Sequence, residues 1–220
     1  MLLINKPIGY TSHDIVAIAR KQLGIKTIGH AGTLDPLASG LLIVLIGRSE
    51  TKQQASLMQQ AKEYVLEVTL GYTSPTYDAE GPLQLTGEPT TISEPHLKRL
   101  LNNFIGQQSQ RVPLYSAVQV NGKRLYLAAR QGDTTVQPPL RRVMIYTIDL
   151  LNYSTPRVTL QVTCSHGTYM RSLAHDLGQA LGVGAYASSL CRTRIGQWQL
   201  SDAISVEQLR QLSPAFQNRG

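Results

Sequence analysis

Leu41-Leu42-Ile43-Val44-Leu45-Ile46 is an unbroken run of six apolar residues. It is short for a helix and rich in the aliphatic side chains of a strand buried on both faces. Such a strand needs cover above and below, so the chain is limited to architectures built around an enclosed sheet. Directly ahead of the run stands Gly29-His30-Ala31-Gly32-Thr33-Leu34-Asp35-Pro36-Leu37-Ala38-Ser39-Gly40. The glycines allow tight turning and close approach to the backbone, and Pro36 steers Asp35 away from helical conformation. Asp35 is therefore a carboxylate in a Gly-rich loop tied to a rigid strand. Asp-Pro is also an ordinary turn initiator, and local chemistry taken alone favours that plainer role.

The rest of the chain supplies the remaining layers. Leu2-Leu3-Ile4 reads as an opening strand, and Ser12 as the N-cap of a helix from about His13 to Leu23, closed by Gly24. Arg48 to Gln60 reads as one mostly exposed helix. Glu63 to Gly71 alternates, with Tyr64, Leu66, Val68 and Leu70 on one face of a half-buried strand. Thr73 to Pro89 lacks periodicity and is expected to be a loop. Ser93-Glu94-Pro95 opens a helix with Leu97, Leu100, Leu101 and Phe104 along its stripe. Val143 to Leu151 and Arg157 to Cys164 form an expected hairpin. Met170, Leu173, Ala174, Leu177 and Leu181 mark a further helix, ended by Gly182 and Gly184. A strand from Ile195 to Leu200 and a short helix from Ser205 to Leu212 follow. Strands outnumber helices and hairpins dominate. The expected class is α+β, with a mixed, mostly antiparallel central sheet flanked by helices, in a single domain over residues 1–220.

Charge narrows the partner. Lys and Arg total 21 against 14 Asp and Glu, a net charge of +7 that comes from a shortage of acids. An anionic partner is implied, nucleic acid first. Between Arg111 and Arg142 the cations Arg111, Lys123, Arg124, Arg130, Arg141 and Arg142 oppose a single acid, Asp133, with Tyr115 and Tyr126 interleaved. Cations beside aromatics suit RNA, which offers phosphates and unstacked bases. A solvated strand-turn-strand around Asn121-Gly122, its tyrosines filling a sheet face, accounts for the same residues equally well. Arg171 lies off its helix's apolar stripe and near the N-terminus. The dipole there disfavours a cation, so an acidic partner is expected beside it.

Several chemistries are excluded. The chain has no Gly-rich phosphate loop with Lys-Ser/Thr, no Gly-x-Ser-x-Gly elbow and no His-Glu-x-x-His. Its five histidines and two cysteines give no ligand spacing for a metal, since Cys164-Ser165-His166 has no second pair to complete it. His30 and His175 read as surface or hydrogen-bonded histidines, and Cys164 as a small buried hydrophobe. Nothing resembles a signal peptide or a membrane span, so a cytoplasmic, membrane-free protein is expected. What remains is a carboxylate, a basic tyrosine-bearing face and an arginine in want of an acid. Together they suggest an RNA-directed enzyme with an aspartate as nucleophile or base.

Longer motifs then give a resemblance. Asn5-Lys6-Pro7-Ile8-Gly9-Tyr10-Thr11-Ser12, the Gly29 to Leu42 segment, Lys62-Glu63-Tyr64 with Thr76-Tyr77-Asp78-Ala79-Glu80-Gly81, Gly122-Lys123-Arg124-Leu125-Tyr126, and Gly167-Thr168-Tyr169-Met170-Arg171-Ser172-Leu173 occur in that order. The chain resembles the TruB family of tRNA pseudouridine synthases nearly end to end. The resemblance implies the pseudouridine synthase fold and isomerisation of uridine 55 in the tRNA T-loop, after the base is flipped into a pocket. It places Asp35 at the catalytic position, as nucleophile or base at the ribose, with Arg171 as its ionic partner and Tyr64 stacked on the uracil. His30 would help displace the base. Lys6, Tyr169 and Leu190 correspond to pocket or RNA-contact positions, and Lys123, Arg124 and Arg130 are expected on the RNA side. No cofactor and no metal are implied, since the reaction is an isomerisation. The partner is the T-arm and elbow of tRNA, bound by a monomer with no obligate protein partner. Ala31, Val112, His166 and Cys191 depart from the family's usual residues, the last two as lost cations. The chain ends at Gly220, where relatives commonly carry a small RNA-binding domain, often of the PUA type. Looser tRNA binding with retained catalysis is the expectation.

Overall fold

The computed structural model describes residues 1–89, 92–133 and 135–212. In chain order the elements are β1 (Leu2–Lys6), α1 (Ser12–Leu23), β2 (Ile28–Ala31), β3 (Ala38–Ile46), α2 (Gly47–Thr51), α3 (Gln54–Gln59) and β4 (Lys62–Leu70). Then come β5 (Tyr72–Thr73), β6 (Gln84–Leu85), α4 (Glu94–Asn102), β7 (Gly106–Arg111), β8 (Gln119–Val120), β9 (Lys123–Arg124) and α5 (Leu125–Arg130). The last are β10 (Leu140–Ser154), β11 (Arg157–Cys164), α6 (Met170–Leu181), β12 (Ala185–Ile195), β13 (Trp198–Gln199) and α7 (Val206–Gln211). Met1–Tyr64 and the described residues from Leu190 onward make one compact unit, and Val65–Ser189 make a second. The class is α+β, with a mixed, mostly antiparallel sheet and flanking helices.

In the first unit β3 is the organising strand. β1 runs antiparallel along one edge, from Leu2 opposite Val44 to Lys6 opposite Gly40. The other edge is shared by β2, antiparallel from Ile28 opposite Ile46, and by β12, parallel from Leu190 opposite Ala38. The apolar run serves two cores because successive strand residues point to opposite faces. Leu42 and Val44 pack with Ile4, Ile15, Ala19, Leu23 and Leu209, while Leu41, Ile43 and Leu45 pack with Ala31, Leu57 and Ile195. The strand is therefore buried on both faces, as its composition predicts.

The cap of α1 differs from the expected one. Thr11 is the N-cap: its hydroxyl accepts from the Asp14 amide at 3.1 Å, and the Asp14 carboxylate accepts from the Thr11 amide at 2.8 Å. The acid three residues after Thr11 makes this reciprocal box possible. Ser12 is thereby released into the first turn, where it is buried. Thr11→Ala should lower stability by about 1 kcal/mol, as read from urea midpoints.

Two other expectations are corrected in this unit. The single helix expected over Arg48 to Gln60 is two short ones, α2 and α3, of which only Leu57 is buried. Its few apolar residues, at 55, 57 and 58, cannot hold a longer helix to a core. The closing strand expected from Ile195 is the short β13, paired back onto the eleven-residue β12, whose course from Ala185 was not foreseen.

In the second unit β10 and β11 form the expected hairpin, with β7 antiparallel on the far side of β10. β4 alternates as predicted, Leu66, Val68 and Leu70 being fully buried. Ser93 caps α4 by accepting from the His96 amide. Within the expected loop over Thr73 to Pro89, β5 and β6 make a two-residue ladder. The basic stretch does turn at Asn121-Gly122, where φ values of 50° and 79° suit a two-residue hairpin joining β8 and β9. Beyond it, however, Leu125-Tyr126-Leu127-Ala128-Ala129-Arg130 is the helix α5 and not a strand. Leucine, alanine and arginine are strong helix formers, and that preference prevails here. No helix among the described residues is long and apolar enough to cross a membrane. The expected single domain ends in residues 213–220, which lie outside the described residues.

Candidate active site

Asp35 lies in the loop between β2 and β3, half-buried, at the start of a turn through Pro36 and Leu37. The turn reading and the functional reading are thus compatible. The loop is held by named bonds on each side of the carboxylate. Ahead of it, the Leu34 amide donates to Ser12 Oγ at 2.8 Å, and that hydroxyl donates to the Leu34 carbonyl at 3.2 Å. After it, the Gly9 amide donates to the Pro36 carbonyl at 2.8 Å, and the Ala38 amide to the Asp35 carbonyl at 3.1 Å. Gly40 has φ +104°, and a Cβ there would stand 2.3 Å from the Arg192 carbonyl oxygen, so only glycine fits where β3 meets β12.

The other expected residues of this unit are near the same strands. Lys6, at the end of β1, is fully buried and donates to the carbonyls of Tyr10 at 2.7 Å and Pro7 at 3.0 Å. This shapes the turn that supplies the Gly9 amide. Tyr64 is buried on β4, and Leu190 is buried on β12 opposite Ala38. Lys62 is buried as well, its ammonium donating to the carbonyls of Met58 and Gln60. His30, on β2, packs edge-on against the His13 ring with centroids 5.3 Å apart. Burial, aided by His13 and the charge of Arg192, pushes its pKa down to about 4. The ring is therefore neutral at pH 7.

That depression has a consequence for stability. Its folded pKa lies below the ordinary histidine value of 6.5, so the unfolded chain binds the proton more readily. The contribution of His30 is complete above about pH 6.5 and is lost as pH falls towards 4. Urea titrations from pH 7 to 4 should show wild type losing stability faster than His30→Gln across that window. Parallel curves would refute the assignment.

The second unit holds Arg171, Tyr169 and the basic cluster. Arg171, in the first turn of α6, is 4% exposed. An acid lies beside it, as its place at a helix N-terminus calls for: Nη1 is 3.3 Å from Asp78 Oδ2. The guanidinium also donates to the carbonyls of Thr76 at 3.0 Å and Tyr115 at 3.1 Å. Asp78 in turn accepts from Thr76 Oγ1 at 2.5 Å and from the Glu80 amide at 3.0 Å. Tyr169, the N-cap residue of α6, exchanges two backbone bonds with the buried Gln110 side chain, at 2.7 Å and 3.0 Å. Tyr77 stacks on His175 with centroids 3.9 Å apart. Burial drives the Asp176 carboxyl up to about 6. Lys123, Arg124 and Arg130 are exposed together on β9 and α5. Arg130 lies over the Tyr126 ring at 5.7 Å, and Lys123 pairs with Asp133 at 3.0 Å. Cations and an aromatic do gather there, on a hairpin and helix instead of a sheet face.

Three residues with buried polar partners were given no such role from sequence: Ser12, read as a cap; Asp78, quoted only as part of a motif in an aperiodic loop; and Arg192, in the unforeseen part of β12. Among the described residues no group of three His, Cys, Asp or Glu side chains could hold a metal ion.

Residues 20–170 match the model for the TruB family pseudouridylate synthase (N terminal domain), and residues 171–218 that for the tRNA pseudouridylate synthase B C-terminal domain. The chain is 39% identical over 212 residues to tRNA pseudouridine synthase B of Opitutus terrae, covering 96% of this chain and 87% of that one. It is 42% identical over 209 residues to the protein of that name from Dehalococcoides mccartyi, covering 95% and 69%. Among solved structures it is similar to a chain of an H/ACA RNP bound to a substrate RNA containing 2'-deoxyuridine, with a TM-score of 0.72 and 30% identity, covering 96% of this chain and 52% of that one. A Cbf5-Nop10-Gar1 complex gives a TM-score of 0.72 at 32% identity, covering 96% and 53%. The chain spans about half the length of those two solved chains.

Proposed function

The chain belongs to the TruB family of pseudouridylate synthases, and on that premise we propose that it converts uridine 55 in the T-loop of tRNA to pseudouridine. The observation that carries the reading is the Asp35 loop, a half-buried carboxylate whose neighbours Leu34 and Pro36 are each pinned by the Ser12 to Gly9 segment. A reacting group needs such a fixed frame. Asp35 acts at the ribose, by attack on the anomeric carbon or by removing the 2′ proton, and the C1′–N1 bond breaks. The uracil turns and re-attaches through C5, the C5 proton departs, and N1 regains a proton. Product and substrate are isomers, so no second reactant is consumed.

The other assignments follow from the same chemistry. The target base is stacked within the T-loop and has to leave the stack first. His30, neutral at pH 7, occupies its place without adding a charge, and Tyr64 offers a flat face to the flipped uracil. The family resemblance gives Arg171 the role of the cation that serves the reacting carboxylate. Lys6, Tyr169 and Leu190 take pocket or RNA-contact positions, and exposed Lys123, Arg124 and Arg130 meet phosphates and bases of the T-arm. The protein works as a monomer, without a cofactor or an obligate protein partner.

Mapping of pseudouridine across total RNA, in cells with and without this protein, tests the reading. One T-loop position should lose its modification across the tRNAs while other RNAs stay unchanged. Loss confined to other RNA classes, or no loss at all, would overturn it.

A further inference from the structure

Arg192 is the bulkiest of the fully buried side chains among the described residues, with 1% of its surface exposed. Its guanidinium has an unusual set of partners. Nε donates to the Leu41 carbonyl at 2.9 Å, Nη2 to the Gly32 carbonyl at 3.0 Å and Nη1 to the Thr33 carbonyl at 3.4 Å. Among the described residues no carboxylate forms an ion pair with it. Burying a cation without a counter-ion is costly, and a well-packed apolar side chain is often more stable in such a place. The three carbonyls offset that cost, and their positions show what the arrangement accomplishes. Gly32 and Thr33 lie where the chain enters the Asp35 loop, and Leu41 lies where it has left. One planar, forked group therefore ties both ends of the segment together. The backbone reinforces the tie, since Arg192 is the parallel partner of Gly40, whose missing Cβ lets the two chains meet.

We propose that Arg192 is the positioning residue of the Asp35 loop. Its buried guanidinium cinches the loop's two ends, so that the carboxylate is presented in one place. This rests on the proposed role of Asp35. Arg192 does not touch substrate; it acts through the carbonyls it holds.

The test uses Arg192→Met and Arg192→Lys in the full chain, with single-turnover kcat and tRNA Kd measured separately. Arg192→Met should lower kcat by about 10- to 100-fold, the scale of a misplacement near 1 Å, with Kd within about twofold of wild type. Arg192→Lys keeps the charge but cannot fork, and should recover only part of the rate. Leu209→Ala, which empties a buried site on α7 of the same unit, is the control for destabilisation alone. If it loses as much kcat as Arg192→Met at a matched fall in Tm, positioning is overturned. Should neither Arg192 variant fold, amide exchange on the wild-type protein decides. The Leu34 amide and the Ala38 amide at the start of β3 should be protected as well as those of Leu41 to Ile46, and exchange orders of magnitude faster would refute the clamp. That readout is independent of turnover. An active Asp35→Asn would sink the reading of Asp35 and leave the amide result standing, so the two failures are distinguishable.

Discussion

Asp35→Asn is expected to lower pseudouridine formation in tRNA by on the order of a thousandfold or more while tRNA binding stays within a few-fold of wild type. Asparagine has nearly the shape of aspartate. The bonds from Ser12, Gly9 and Ala38 engage the backbones of Leu34, Pro36 and Asp35, and the substitution leaves each of these in place. The loop should therefore keep its course. What disappears is the carboxylate that, on the proposed reading, either attacks the anomeric carbon or takes the 2′ proton, and an amide does neither. The measurement follows from the atoms that move: the C5 hydrogen leaves during re-attachment, so tRNA tritiated at C5 of uridine releases label with each turnover. Filter binding at matched salt reports affinity separately. Release near the wild-type rate would remove Asp35 from the chemistry. Release and binding lost together would indicate a damaged fold, which the urea midpoint of the variant would reveal. The pattern differs in degree from that expected of Arg192→Met, where the carboxylate remains and only its placement suffers.

The contrast between Asp35 and Arg192 also shows which parts of the molecule could be read from sequence. The strand beneath the loop was legible because Leu41 to Ile46 leaves no polar face for water, and the structure divides it between two cores. β4 was legible through its alternation, and the β10–β11 hairpin through two strand-like runs with a tight turn between them. Local signals failed where partners are remote or ambiguous. Thr11 and Ser12 are both good caps, and only the acid at position 14 favours the first. The bond from Ser12 to Leu34 spans 22 positions, and that from Arg192 to Gly32 spans 160, beyond any periodicity argument. β12 was not foreseen because Tyr186-Ala187-Ser188-Ser189 does not alternate and Arg192 looks like a surface residue until its burial is known. In the basic stretch, charge drew attention from the helix-forming side chains of α5. For Arg171, helix electrostatics called for an acid without naming it. The structure supplies Asp78, from a loop whose motif was recognised but whose lack of periodicity gave no sign that it meets this helix.

That pair carries the second large effect. Side chains of Arg171 and Asp78 are 5% and 2% exposed, so neither charge is hydrated well enough to stand without help. Asp78→Ala leaves the guanidinium buried without this carboxylate and cuts the acceptor for Thr76 Oγ1 and the Glu80 amide. A loss of about 3–5 kcal/mol is expected, the usual result of removing one member of a buried pair. Asp78→Asn keeps an acceptor oxygen for Thr76 and Glu80 and forfeits only the charge, so its cost should be smaller, about 1–3 kcal/mol. Urea unfolding of both variants gives the ordering. Because Asp78 also fixes the loop whose Thr76 carbonyl accepts from Arg171, both substitutions loosen the arginine at the N-terminus of α6. If Arg171 supports the reacting carboxylate, tritium release should fall in the same order as stability, Ala below Asn, even at temperatures where both variants remain folded. Equal midpoints for the two variants would show that the carboxylate acts through its hydrogen bonds more than through its charge. A rate unchanged in both would separate Arg171 from the chemistry.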